Sequence, residues 1–318
     1  MSKQTIKILL RTAVSVSLLA WLACTIDWYQ LAASLRIVRL EWIMGALGWI
    51  IISIVISTYK WQGVLTAQGL DLSWRELWKA YWVGQFFNNF LPSSIGGDAM
   101  RIIWVKDLSG DAAGAAASVI VERILATVGL AVTGLLGGLL VWHSDYRVMA
   151  VFMVLILFCG VLMLVITRGR LPAWMEKRPG RILDFFKALQ AHGSRIDGRW
   201  SSILGVTLLS VAFQVAVVGV NCCIFQALNI RTVGILDVLY IIPLASVAAM
   251  LPLGINGYGL REGAYVALLA LYSVPRGTAF AASLLFAFLV SLCSLYGAWI
   301  WLTQRSKEVI SDVGYHGR

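Results

Sequence analysis

The residues that could do chemistry in this chain are few and lie within apolar sequence: Asn88, Asn89, Asp98, Arg101, Glu122, Arg123, Asn256, Arg261 and Glu262. A charge at the centre of a membrane helix costs about 2.5–3.5 kcal/mol. Such residues persist where they pair, snorkel or serve a pathway. Three are arginines and three are acids, so mutual pairing could neutralise the set. A guanidinium fork suits a phosphate group, which makes Arg101 and Arg261 candidates for binding an anionic headgroup. Each could equally hold its own segment in shape through a nearby acid or carbonyl. Asp98, Glu122 and Glu262 are candidates for proton carriage or ion pairing. Glu122 and Arg123 precede an uncharged run that starts at Ile124, which places them near the membrane interface. Asn88 and Asn89 could line a polar cavity or cap a half-helix, and Asn256 joins them as a candidate contact for substrate.

Two of these candidates sit in a repeated motif. Residues 91–101 (LPSSIGGDAMR) align without gaps to residues 251–261 (LPLGINGYGLR) at an offset of 160, about half of the 318-residue chain. The shared pattern is L-P-x-x-I-x-G-x-x-x-R. Its Pro92, Gly96, Gly97, Pro252, Gly257 and Gly259 read as residues that shape backbone and do not react. Proline and glycine interrupt a helix and free its polar groups, which is tolerable at membrane depth only where protein or a water-filled cavity surrounds them. Exposed N–H groups at a broken helix end attract anions.

The elements that must position these residues are membrane helices. Hydrophobic residues make up 59 % of the chain and charged residues 13 %, with a mean hydropathy of +0.81. A soluble domain is about 45–50 % apolar and about 25 % charged, so that class is excluded. The uncharged runs predict an all-α polytopic membrane protein with about six transmembrane helices and two re-entrant helical hairpins in two inverted repeats. Residues 1–167 hold spans near 8–26, 42–59 and 114–142, a re-entrant segment over 77–106, and a fourth span, 148–167, that begins the second half. Residues 200–304 hold spans 200–230 and 277–304 and a re-entrant segment over 236–275. The segment 8–26 is read as a retained helix and not as a cleaved signal.

The net charge of +10 is spread between apolar runs and reads as a topology signal, so no nucleic-acid partner is expected. Residues 168–199 hold eight Lys and Arg, which makes that loop cytoplasmic by the positive-inside rule. It falls on the same side as the N-terminus only if Ala80–Gly97 enters and leaves on one side. Lys60, Arg75, Lys79 and Lys106 then lie at the inner face, both termini are cytoplasmic, and 305–318 is a cytoplasmic tail. Within the loop, Arg181–Gln190 has the apolar stripe of a helix lying on the membrane surface. The five Cys read as small buried hydrophobes, and the three His are too scattered to share a metal. No P-loop, dinucleotide fingerprint, nucleophile elbow or zinc motif occurs, so no catalytic residue, metal or cofactor is expected.

The run Phe86–Pro92 (FFNNFLP), with Gly96-Gly97-Asp98 and Arg101, resembles the first signature of the lysylphosphatidylglycerol synthase transmembrane-region family, also called flippase-like. Val121-Glu122-Arg123 resembles the helix that follows it. Gly257–Glu262 (GYGLRE) resembles the second signature, with Gly263-Ala264 next. The resemblance covers nearly the whole chain. It implies a bacterial or archaeal inner-membrane domain that moves lipids between leaflets, without the soluble transferase that accompanies it in the aminoacyl-phosphatidylglycerol synthases. The implied substrate is an anionic phospholipid or a lipid-linked intermediate such as a polyprenyl-phosphate or glycolipid. Two alternatives stay open: a membrane enzyme using Asp98 or Glu122 on a lipid phosphate or glycan, and a scaffold for a lipid-modifying partner. A homodimer is a further possible arrangement.

The charge pattern gives the first testable outcome. In a chain otherwise free of cysteine, Arg178→Cys should react with a membrane-impermeant maleimide only after cells are opened. Labelling from outside intact cells would overturn the re-entrant topology.

Overall fold

The computed structural model of the chain describes residues 17, 20–22, 24–91, 96–141, 145–168, 181–196, 200–251 and 256–315. Among them the secondary structure is helical. The helices are α1 (Trp28–Arg36), α2 (Leu40–Ala67), α3 (Trp74–Phe90), α4 (Gly96–Ser109), α5 (Ala112–Leu140), α6 (Tyr146–Arg168), α7 (Arg181–Ser194), α8 (Trp200–Ala227), α9 (Ile235–Met250), α10 (Leu260–Ala270) and α11 (Arg276–Tyr315). Five of them, α2, α5, α6, α8 and α11, contain stretches long and apolar enough to cross a membrane. The first expected span, 8–26, lies largely outside the described residues. Leu22 and Ile26 are described, and both are buried in the largest apolar cluster.

Both expected interruptions are present as helix breaks. The residue before a proline is pushed out of helical backbone by the ring. Leu91 and Leu251 each end a helix in extended backbone (ψ 144° and 131°). Pro92 and Pro252 themselves lie outside the described residues. After the second break the chain turns through Asn256, Gly257 and Gly259 at φ 51°, 73° and 83°, left-handed values that glycine adopts without a Cβ penalty. The segment 77–106 thus resolves into α3 and α4, and 236–275 into α9 and α10. At 1.5 Å per residue, the 17 residues of α3 reach about 25 Å, short of the ~30 Å hydrocarbon core.

The α3–α4 pair is bracketed by two glycines. Gly69 ends α2 at φ 84° and Gly110 ends α4 at φ 73°, the left-handed backbone that commonly closes a helix. Nothing lies within 4 Å of a Cβ built at either position.

The 160-residue offset recurs in the helices. α2 and α8 are both 28 residues long and start 160 apart, at Leu40 and Trp200. They form the most extensive helix pair among the described residues. Four further contacts form exchanged sets: α3 packs on α11 while α9 packs on α5, and α4 packs on α5 while α10 packs on α11. Without a hydrophobic drive between helices in lipid, small residues at crossings let backbones approach. Gly129 of α5 is such a crossing, where a Cβ would lie 2.6 Å from the Ser210 backbone of α8. α6 lies at the edge, packed on α5 and α7, with Val154, Leu157, Phe158 and Val161 exposed as a lipid-facing helix requires.

The expected amphipathic segment is α7. It docks through Leu189, which is buried, and through His192, whose Nε2 lies 3.2 Å from Asp111 Oδ2.

Two expectations need correction. The span expected to stop at Tyr59, with Lys60 at the inner interface, continues to Ala67, and Lys60 is 1 % exposed. The cysteines are not uniformly buried: Cys159 and Cys223 are, Cys222 and Cys293 are half-buried, and Cys24 is exposed.

The close crossings yield a stability test. Gly129→Val should destabilise by about 1–3 kcal/mol through overpacking, read as a lower thermal midpoint in detergent. Gly160→Val, where nothing lies within 4 Å of the new Cβ, should leave the midpoint nearly unchanged.

Candidate functional site

Five charged side chains from three helices meet beside the first helix break. α2 supplies Lys60, α4 supplies Asp98 and Arg101, and α5 supplies Glu122 and Arg123. Lys60 Nζ lies 2.5 Å from Glu122 Oε1, and Arg101 Nη1 lies 3.2 Å from Glu122 Oε2. Asp98 receives Arg123 in a two-point contact, Nε at 3.0 Å and Nη2 at 2.8 Å, and also faces Arg101 Nη1 at 3.5 Å. Glu122 is 2 % exposed and Arg101 4 %, whereas the Arg123 side chain is 53 % exposed. Glu122 is therefore enclosed by protein, ten residues into α5, which begins at Ala112.

Aromatic faces and glycines make this burial possible. The Arg101 guanidinium lies 4.1 Å from the Trp61 ring centre and 4.6 Å from that of Tyr81, and Lys60 lies 5.0 Å from that of Phe213. Such contacts partly replace water around a cation. Trp61 is itself fixed by its Nε1, which donates to Ser118 Oγ at 3.0 Å. At Gly84 a Cβ would lie 2.8 Å from Arg101 Cγ, so the glycine makes room for the arginine stem. A Cβ at Gly97 would collide with the Gly84 carbonyl oxygen, so α3 and α4 touch backbone to backbone.

The second break reaches the first through one side chain. Asn256 Nδ2 donates to the carbonyl oxygens of Asn88 (3.1 Å) and Leu91 (2.8 Å). These belong to the last turn of α3 and its cap, where carbonyls lack helical partners. The tips of the two interrupted helices are thereby joined across 165 residues of sequence or more.

A cleft of about 170 Å³ opens beside the cluster. Asn88, Asp98, Arg101 and Arg123 line it, with Gly97, Gln85, Tyr81 and Ser53. A second, apolar hollow of about 630 Å³ lies between α2, α8 and α9, bounded by Trp42, Trp49, Cys222 and Leu239.

Of the residues singled out in the sequence, Asn88, Asp98, Arg101, Glu122, Arg123 and Asn256 come together here. Asn89 is on the same turn as Asn88, and its Nδ2 is buried without a partner among the described residues. Arg261 and Glu262 stand apart. Arg261 Nη2 lies 2.7 Å from Glu262 Oε1, and Glu262 Oε2 accepts the Gly259 N–H at 2.6 Å, closing the turn into α10. Arg261 approaches the cleft only through Phe286, 5.9 Å from the guanidinium and part of the cleft wall. Gly96, Gly257 and Gly259 sit at helix starts and turns and touch no part of the cleft.

Sequence reading missed Lys60, Tyr81, Gln85 and Phe213. For Lys60 a signal existed: Trp61, Val64 and Leu65 continue the apolar helix face beyond it.

The cluster predicts unequal costs of neutralisation. Glu122→Gln strips the carboxylate shared by two buried cations and should destabilise by about 3–5 kcal/mol. Arg123→Gln removes a cation whose side chain is 53 % exposed at the cleft and should cost less than Glu122→Gln. Thermal or denaturant unfolding of the two variants in the same detergent checks the ranking.

Comparison with known families agrees with the resemblance read from the two signatures. No curated protein matches the chain. The profile of the lysylphosphatidylglycerol synthase TM region matches residues 8–297 and so takes in the whole charged cluster and both helix breaks. The chain is a multi-pass membrane protein that belongs to the lysylphosphatidylglycerol synthase TM region family.

Proposed function

We propose that this protein moves a lipid with an anionic headgroup between the leaflets of the cytoplasmic membrane. The observation that carries the reading is the cleft beside the first helix break, lined by Arg101 and Arg123, with Asn256 of the second break bonded to the end of the helix that forms its wall. A polar cleft among apolar helices suits a charged headgroup, and the apolar hollow between α2, α8 and α9 suits a hydrocarbon chain. In this reading α3–α4 and α9–α10 are re-entrant hairpins, and the halves are inverted copies, each with an odd number of crossings. The exchanged contacts of α3 with α11 and of α9 with α5 favour duplication about an axis between α2 and α8. Inverted repeats with broken helices at a central site are a transporter architecture. The headgroup enters between Arg101 and Arg123, near Asn88 and Asn89, and Arg261 meets it when the second hairpin moves. Pro92, Gly96, Gly97, Pro252, Gly257 and Gly259 set the hairpin backbone. Both termini and residues 168–199 face the cytoplasm.

Transport and folding can be separated on one set of preparations. In reconstituted vesicles with a fluorescent anionic phospholipid, Arg101→Gln and Arg261→Gln should each reduce leaflet exchange at least about tenfold, the scale of one lost charge-assisted hydrogen bond. Lysine at either position should restore it only in part, because a point charge lacks the fork. Unchanged exchange in folded glutamine variants would exclude both arginines as the headgroup site.

A further inference from the structure

The charges of the cluster do not cancel where they are buried. Lys60, Arg101 and Glu122 are 1 %, 4 % and 2 % exposed, so the sealed part holds two cations and one carboxylate. The outer pair, Asp98 with Arg123, is neutral by itself and bonded at two points. Glu122 spends one oxygen on Lys60 and the other on Arg101. The contact of Arg101 Nη1 with Asp98, at 3.5 Å, is longer than a good charge-assisted bond. Arg101 Nε and Nη2 are buried from water and have no partner among the described residues. Residues 92–95, between α3 and α4, are Pro, Ser, Ser and Ile and bring no charge. The rings of Trp61, Tyr81 and Phe213 soften the imbalance but cannot remove it. An uncompensated buried charge is costly, and Arg101 is part of the cleft wall.

We propose that the ligand supplies the missing charge: the cleft takes a singly charged phosphodiester beside Arg101, and Lys60 is the positioning residue that sets this charge preference. Lys60 does not line the cleft; it acts by engaging half of Glu122. A phosphodiester brings one negative charge shared by two oxygens. A phosphomonoester brings nearly two at neutral pH and above and would leave one unpaired in a medium of low dielectric. A zwitterionic headgroup brings none. The choice of a lipid as carrier rests on the transport reading above; the charge preference does not.

The test uses the purified full-length chain in detergent and four probes. Dihexadecyl phosphate is a minimal lipid diester, monohexadecyl phosphate at about pH 8 is the doubly charged monoester, phosphatidylcholine is the zwitterion, and dimethyl phosphate is the soluble diester. Dihexadecyl phosphate should bind at least about tenfold tighter than the monoester or phosphatidylcholine. Equal affinities for these three lipids would overturn the proposal. Dimethyl phosphate binding as tightly as dihexadecyl phosphate would overturn the lipid as carrier.

Charge variants sharpen the test. Lys60→Met brings the sealed charge to zero and should abolish the advantage of the diester over phosphatidylcholine. Glu122→Gln brings it to two and should favour the monoester. Because either single variant can fail to fold, the double variant Lys60→Met/Glu122→Gln is decisive. It restores one positive charge and should restore the wild-type order; a different order in the folded double variant would overturn the role of Lys60. Diester preference without leaflet exchange in vesicles would leave this inference standing and sink the transport reading. Leaflet exchange with no headgroup preference would do the reverse.

Discussion

The carboxylate of Glu122 is the point on which the rest of the site depends. Two cations, Lys60 from α2 and Arg101 from α4, are withdrawn from water, and both converge on it. Removing charges from water costs several kcal/mol per ion and is repaid only by close partners of opposite sign. Glu122 therefore fixes three helices in one arrangement, because each brings a charge that has no other strong partner nearby. The arrangement is specified more sharply than apolar packing alone would require, since lipid-like side chains can slide past one another and an ion pair cannot.

The second constraint is backbone. Each interruption leaves backbone polar groups that must find partners, carbonyls at the first and an N–H at the second, and the molecule answers differently at the two breaks. At the first, the α3 carbonyls accept from Asn256, a residue of the other half. At the second, Glu262 turns back onto the Gly259 N–H within its own turn. The offset of 160 shows how unequal the halves have become. Positions equivalent to Lys60, Asp98, Glu122 and Arg123 are Val220, Tyr258, Ala282 and Ser283. Only the arginine is retained on both sides. Arg261, deprived of an equivalent to Glu122, takes the acid next to it in sequence.

The helix breaks were legible because proline restricts its predecessor whatever the surroundings, so residues 91 and 251 could be read locally. The convergence of Asp98, Arg101, Glu122 and Arg123 was partly legible, because opposite charges in apolar sequence have few ways to persist. Lys60 was not. A hydropathy window ends a span at the first cation after Tyr59, and the partner that makes Lys60 bearable lies 62 residues later, at Glu122. Glu122 was read near an interface because the uncharged run starts only at Ile124, and nothing local shows that Gly114–Val119 form a buried helical face ahead of it. The likeness of Arg101 and Arg261 in sequence also concealed their difference, which is set by what α5 and α11 present to them and not by the motif.

The backbone contact between Gly84 and Gly97 has a mechanical consequence. Two helices that touch without intervening side chains have no room to shear, so α3 and α4 form a stiff plate. At the plate's edges, Gly69 and Gly110 combine left-handed backbone with empty space around the α-carbon. The Arg101–Glu122 contact ties the plate to α5. Asp98 and Arg101 sit one turn apart on α4, so their spacing is set within one helix, whereas their distances to Glu122 and Arg123 are set by how α4 packs on α5.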